Sequence, residues 1–152
     1  MSTINGLPAH VLLVHVIVVF VPLTALALVL CAVWPAARQR LIWPAVGLAA
    51  VTTALTPVTI QAGETFAERF GPSEALQKHI DLGGTMNYFA VPLLVAAAAL
   101  LVLHRREQRG KPLARLVVWV IAVLTIGASA AATVQVYRVG DSGSRAVWGQ
   151  MT

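Results

Sequence analysis

The sequence predicts an all-α integral membrane protein, an antiparallel four-helix bundle with both termini extracytoplasmic. Three observations predict it. The 152 residues are 58% hydrophobic and 11% charged, against about 25% charged in ordinary soluble domains, and mean hydropathy is +0.78. The apolar residues gather into four runs, each near the roughly 20 residues a helix needs to cross hydrocarbon. The basic residues gather in short segments between those runs, where membrane topology puts them.

The spans fall at about 11–34, 41–61, 82–104 and 113–139, which makes residues 1–152 a single four-span domain. Pro8 precedes the first run, a place where a missing N–H is harmless. Pro22, Pro57 and Pro92 lie inside runs; neighbouring helices can satisfy the carbonyls they free, so kinks are expected rather than breaks. The run from Val11 is far longer than the roughly 7–15 apolar residues of a signal peptide, so it is read as a retained span. One cysteine, Cys31, permits no intrachain disulfide.

Loop charge orients the chain. Arg38, Arg40, Arg105, Arg106, Arg109, Lys111 and Arg115 flank the two short connections, while Arg69, Lys78, Arg138 and Arg145 share the other side with five acids. Seven basic residues against four put the short connections in the cytoplasm. Trp34 and Trp43 then mark the inner interface. The net charge of +5 therefore reads as topology; with no aromatic interleaving and no basic groove pattern, nucleic-acid binding is excluded.

The longest connection, Gly63–Ile80, is broken by Gly71-Pro72-Ser73, and Ser73 followed by Glu74 is a helix start. The third run is expected to begin there and continue inward. No internal repeat is read from the sequence. Polar residues fall on stripes at helical spacing: Thr52, Thr56, Thr59 and Gly63; His79, Gly83, Met86 and Asn87; Thr125, Ser129 and Thr133. Such faces turn inward in membrane bundles, where packing alone accounts for the hydroxyl stripes. Ala96–Ala99 offers a close-packing surface.

Four histidines remain to be placed. His104 lies among the arginines and reads as a solvated interface residue. His10, His15 and His79 gather on the outer side. Imidazole ligates heme iron, zinc or copper, carries protons, or simply hydrogen-bonds, and an ionisable group inside a span defaults to a functional reading. His15 lies about 7.5 Å deeper than His10 and about 140° away around the helix, so one ion cannot take both without unwinding the helix start. A histidine from each of two facing helices is the simpler geometry, with His15 and His79 as ligands and His10 nearby. Asp141, in the loop expected at Gly140–Gly143, can ligate, accept from an imidazole or cap a turn.

The segments Pro8-Ala9-His10-Val11-Leu12-Leu13-Val14-His15 and Val139-Gly140-Asp141-Ser142-Gly143-Ser144-Arg145-Ala146-Val147-Trp148, joined by four spans, resemble the uncharacterised bacterial membrane family catalogued as domain of unknown function 2231. The resemblance covers nearly the whole chain. Two departures are visible: family members usually carry proline after each N-terminal histidine, where Val11 and Val16-Ile17 stand, and Gly-His-Ser-Gly where this chain has Gly140-Asp141-Ser142-Gly143. The resemblance implies a bacterial inner-membrane location and, since relatives are fused to cytochrome c or Rieske modules, a redox neighbourhood.

The functional expectation is a redox-associated membrane protein holding heme b or a transition-metal ion near its outer face through His15 and His79, with His10 close by and Asp141 a further ligand in the metal-ion case, beside a respiratory or redox partner. The alternative is a cofactor-free accessory subunit of a larger complex. A small-solute or proton pathway ranks last, because the inner halves of runs one and three are nearly bare of polar groups.

Overall fold

A computed structural model describes residues 3–4, 7–69, 71 and 73–148; Pro72 of the expected break lies outside them. Five helices follow one another: α1 (Ala9–Val33), α2 (Pro35–Ala67), α3 (Glu74–Gly84), α4 (Asn87–Gln108) and α5 (Arg115–Trp148). Ahead of them β1 (Thr3–Ile4) and β2 (Leu7–Pro8) form a two-residue antiparallel pairing. His10–Val33, Pro35–Ala67, Glu74–Gln108 and Arg115–Val147 are long and apolar enough to cross a membrane. In hydrocarbon no water satisfies backbone N–H and C=O groups, so such runs are driven to helix even where β-branched residues crowd them.

Two helices outrun their apolar segments. α2 starts at Pro35, directly after an extended Trp34 (φ −126°, ψ 103°), because proline pushes its predecessor out of the helical region yet fits the first helical position. It runs 33 residues, about 50 Å, against roughly 30 Å of hydrocarbon. α5 runs 34 residues and absorbs Gly140–Gly143. The turn expected there does not form: the backbone stays helical, and Gly110 (φ 65°), just past α4, is the one positive-φ glycine among the described residues.

The third run begins as expected: Ser73 caps α3 by accepting from the Leu76 N–H at 3.2 Å. It does not continue unbroken. The chain tightens at Thr85–Met86 through i→i+3 bonds (Met86 N to Gly83 O and Tyr88 N to Thr85 O, both 3.0 Å). Gly83-Gly84, weak helix formers, sit at the break. Gln135 of α5 holds it by donating to Thr85 Oγ1 (2.8 Å) and Leu82 O (3.2 Å). The stripe His79–Asn87 is therefore divided between two helices.

α1 packs between α2 and α5, and α4 packs on the same two helices from the other side, while α3 rests on the end of α5. Bonds between neighbours fix the alignment. Thr24 meets Thr52 (3.2 Å), Thr53 donates to Ala90 O (3.1 Å), and Arg38 reaches both Cys31 O (2.9 Å) and the Glu107 carboxylate (2.8 and 3.2 Å). Arg38 is 2% exposed, so it is a buried ion-pair member rather than a loop charge. His104 is likewise buried, with no partner on Nδ1 among the described residues. Its place on the inward face of α4 overrides its arginine-rich neighbourhood in sequence. The α5 stripe is also corrected: Thr125 and Ser129 are buried, but Ala132 and Gln135 continue the inward line and Thr133 points out.

The two halves place comparable residues at matching positions in a way that the letters conceal. One constant shift carries His10, Ile17, Val21, Leu28 and Cys31 of α1 onto His79, Met86, Ala90, Ala97 and Leu100 of α3–α4. A second carries Ile42, Ala45, Ala49, Thr52, Thr56 and Gly63 of α2 onto Ala122, Thr125, Ser129, Ala132, Val136 and Gly143 of α5. Apart from the two histidines and two glycines, every residue in both sets is buried. Shared helical periodicity alone would align burial. It would not set a histidine against a glycine at the matching place in both halves.

Candidate functional site at the histidine end

His10 is the second residue of α1, within the helix rather than ahead of it. Its ring lies on the end of α2. Nδ1 is 3.3 Å from the Thr59 carbonyl, and one turn further on a Cβ at Gly63 would stand 2.7 Å from the ring's Cε1. Glycine is required there for space, not for φ. Phe66 stacks on the imidazole with centroids 5.9 Å apart.

His79, half-buried on α3, repeats this on the end of α5. Nδ1 is 3.2 Å from the Val139 carbonyl and 3.0 Å from Ser142 Oγ, and a Cβ at Gly143 would stand 3.0 Å from Cε1. Ser142 gives its own proton to Val139 O at 2.8 Å, leaving its oxygen to accept from the ring.

A carbonyl only accepts, so both Nδ1 atoms carry the proton and donate it. The neutral ring then keeps its lone pair on Nε2. Among the described residues neither Nε2 has a hydrogen-bond partner. A ring nitrogen anchored to a carbonyl with the other left free is the usual preparation of a histidine ligand. Arg38 of α2 meets Glu107 and Thr53 meets Ala90 of α4, so the end of α2 beneath His10 lies at the α3 end of α4, and both imidazoles come to one end of the bundle.

The other expected site residues have other partners. His15 is exposed on α1, beside outward-facing Val18 and Val19, and its Nδ1–H turns back to Val11 O at 2.6 Å. Asp141 pairs with Arg145, one turn on, at 2.9 Å; the acceptor beside His79 is Ser142. Among the described residues no group of three or more His, Cys, Asp or Glu side chains is placed to hold a metal ion. The two imidazoles that are anchored alike are His10 and His79. Gly63, Phe66, Ser142 and Gly143 escaped the reading of the sequence as site residues. The signal that would have found two of them is the pair Thr59-x-x-x-Gly63 and Val139-x-x-x-Gly143, one helical turn repeated in two helices that end beside a histidine.

The family model described as predicted membrane protein (DUF2231) matches residues 6–152. The chain belongs to that family. With four membrane-length helices it is a multi-pass membrane protein, and each terminal segment that carries the resemblance supplies part of one histidine contact, His10 in the first and Val139, Ser142 and Gly143 in the second. No curated protein and no solved structure matches it.

Proposed function

We propose that the protein is a redox-associated membrane protein that holds a heme b, or failing that a transition-metal ion, at its extracytoplasmic end between His10 and His79. The observation that supports this is the pair of Nε2 atoms, one from each half, without a partner among the described residues, each on a ring fixed by an Nδ1–H bond to a backbone carbonyl. A donor set of two imidazoles suits heme iron, which needs only two axial ligands, better than a bare ion that takes three or four. Bound heme would supply one-electron chemistry. The chain's own part is to orient the rings: Thr59 and Val139 fix the tautomers and raise ligand basicity, and Ser142 stabilises the His79 proton.

The proposal includes a single domain over residues 1–152, arranged as an antiparallel four-span bundle with both termini outside. The contacts of Arg38 with Cys31, and of His10 with Thr59, support alternation of α1 and α2. The excess of basic residues around the two short connections supports the orientation. A reporter active only in the cytoplasm should be silent after Thr152 and active when inserted at Gly110.

The second reading, a cofactor-free accessory subunit, draws on His15. An imidazole facing lipid is unfavourable, and a partner helix of a respiratory or redox complex would take it up. A dithionite-reduced spectrum and metal analysis of purified protein separate the readings. A heme α-band lost in His10→Leu and His79→Leu supports the first. Folded, colourless and metal-free protein supports the second.

A further inference from the structure

The opposite end of the bundle carries a surface that the histidine site does not use. Seven of the chain's basic residues lie there with one acid, Glu107. Both oxygens of that acid are taken by Arg38 (2.8 and 3.2 Å), whose side chain is buried. Arg40, Arg105, Arg106, Arg109, Lys111 and Arg115 are all exposed, and among the described residues none of them is in an ion pair. Six positive charges therefore remain uncompensated, while five acids offset the four basic residues at the histidine end.

These charges cannot leave the bilayer surface. α1 and α2 are joined by Trp34 alone, and α4 and α5 by the short segment 109–114. Trp34 and Trp43 are more than half exposed beside them, at the level where amphipathic rings favour the interface. Arg105 lies over the Trp43 ring at 5.3 Å, with Arg109 one turn further along. A guanidinium beside an interfacial indole sits at phosphate depth, its stem along the apolar surface.

We propose that this end is a binding surface for anionic phospholipid, with the phosphodiester groups of a phosphatidylglycerol-type lipid held by Arg105 and Arg109 against Trp43. Charge complementarity selects the occupant: the surface is basic and fixed at headgroup level, and the connections that carry it are Trp34 alone and the short segment 109–114. Juxtamembrane basic residues each strengthen attraction to an anionic leaflet about fivefold.

The test uses the full chain reconstituted in phosphatidylcholine bilayers containing brominated phosphatidylglycerol or brominated phosphatidylcholine. Quenching of Trp43 is taken as the difference between wild type and Trp43→Phe. The expected result is severalfold preference for phosphatidylglycerol. It should fall close to one in Arg105→Gln/Arg109→Gln, persist in the control Arg138→Gln/Arg145→Gln, and shrink in high salt. No preference in wild type, or equal loss in both double variants, overturns the proposal. Should the first double variant fail to insert, wild-type thermal unfolding decides. Added phosphatidylglycerol must raise the midpoint over phosphatidylcholine alone, and an unchanged midpoint counts as refutation.

Discussion

The two halves of the molecule, α1–α2 and α3–α5, solve the same packing problem with different chemistry. Both lay a histidine on the glycine of a facing helix and tie it to the carbonyl one turn back. The first half backs its ring with Phe66 and runs a Thr24–Thr52 bond through its middle. The second backs its ring with Ser142 and has Leu93 and Ala132 where the threonines would be. What both retain is therefore the placement of the ring, and what varies is how the rest of the interface is filled. Helix packing tolerates such exchange as long as volume and hydrogen-bonding demands are met.

The largest expected effect comes from cutting the link between the halves. Glu107→Gln leaves the Arg38 guanidinium buried without its carboxylate. The loss should be about 3 kcal/mol, the low end for a broken buried pair, because the Glu107 side chain is 36% exposed. Unfolding in mild detergent measures it, and an unchanged midpoint would show the pair to be dispensable. Gly63→Ala and Gly143→Ala compare the halves directly. The closer approach, 2.7 Å against 3.0 Å, predicts about 2 kcal/mol for the first and about 1 for the second, within the usual range for overpacking. Gly127→Ala, with no atom within 4 Å of the new methyl, sets the baseline. Equal losses at Gly63 and Gly143 would mean that ring packing does not set their size.

Ser142→Ala should act on the second half alone. It removes one of the two acceptors beside the His79 Nδ1–H, about 1 kcal/mol. The imidazole 15N shifts of His79 should move while those of His10 stay. Movement of both would mean that the rings are coupled more tightly than the separate anchors imply. Thr24→Val should matter least, about 0.6 kcal/mol, the average for a hydrogen bond between membrane helices. A much larger loss would make that central bond a feature the second half lacks at real cost.

Span number, the α3 start and the inward Thr52–Thr59 face were legible because each rests on local signals: run length, a serine cap and helical spacing. Helix ends were less so. Leu41 looks like the start of run two, but Pro35 can begin a helix in headgroup territory, where apolarity gives no cue. Gly140 and Gly143 read as turn formers because glycine's backbone freedom is visible in a sequence and the ring that will occupy its missing Cβ is not. For the same reason Arg38 and His104 read as surface groups. Their burial depends on which way α2 and α4 rotate, and that is decided by Glu107 and the facing small residues. The sequence pairs His79 with the deeper His15, whose position along the helix is plain. Its outward direction emerges only once α1 is wedged between α2 and α5.

The matching of the two halves has a consequence for how such a chain can be built. Each half carries two membrane-length helices; in the four-span arrangement proposed above, a second copy joined to its end begins again on the side where the first began and inserts in the same sense. No inversion is needed to bring the two histidines to one face, as it would be for halves with an odd number of spans. Two identical hairpins meeting about an axis along the membrane normal would place two identical rings at one end. Each ring would need only a glycine on the helix it faces.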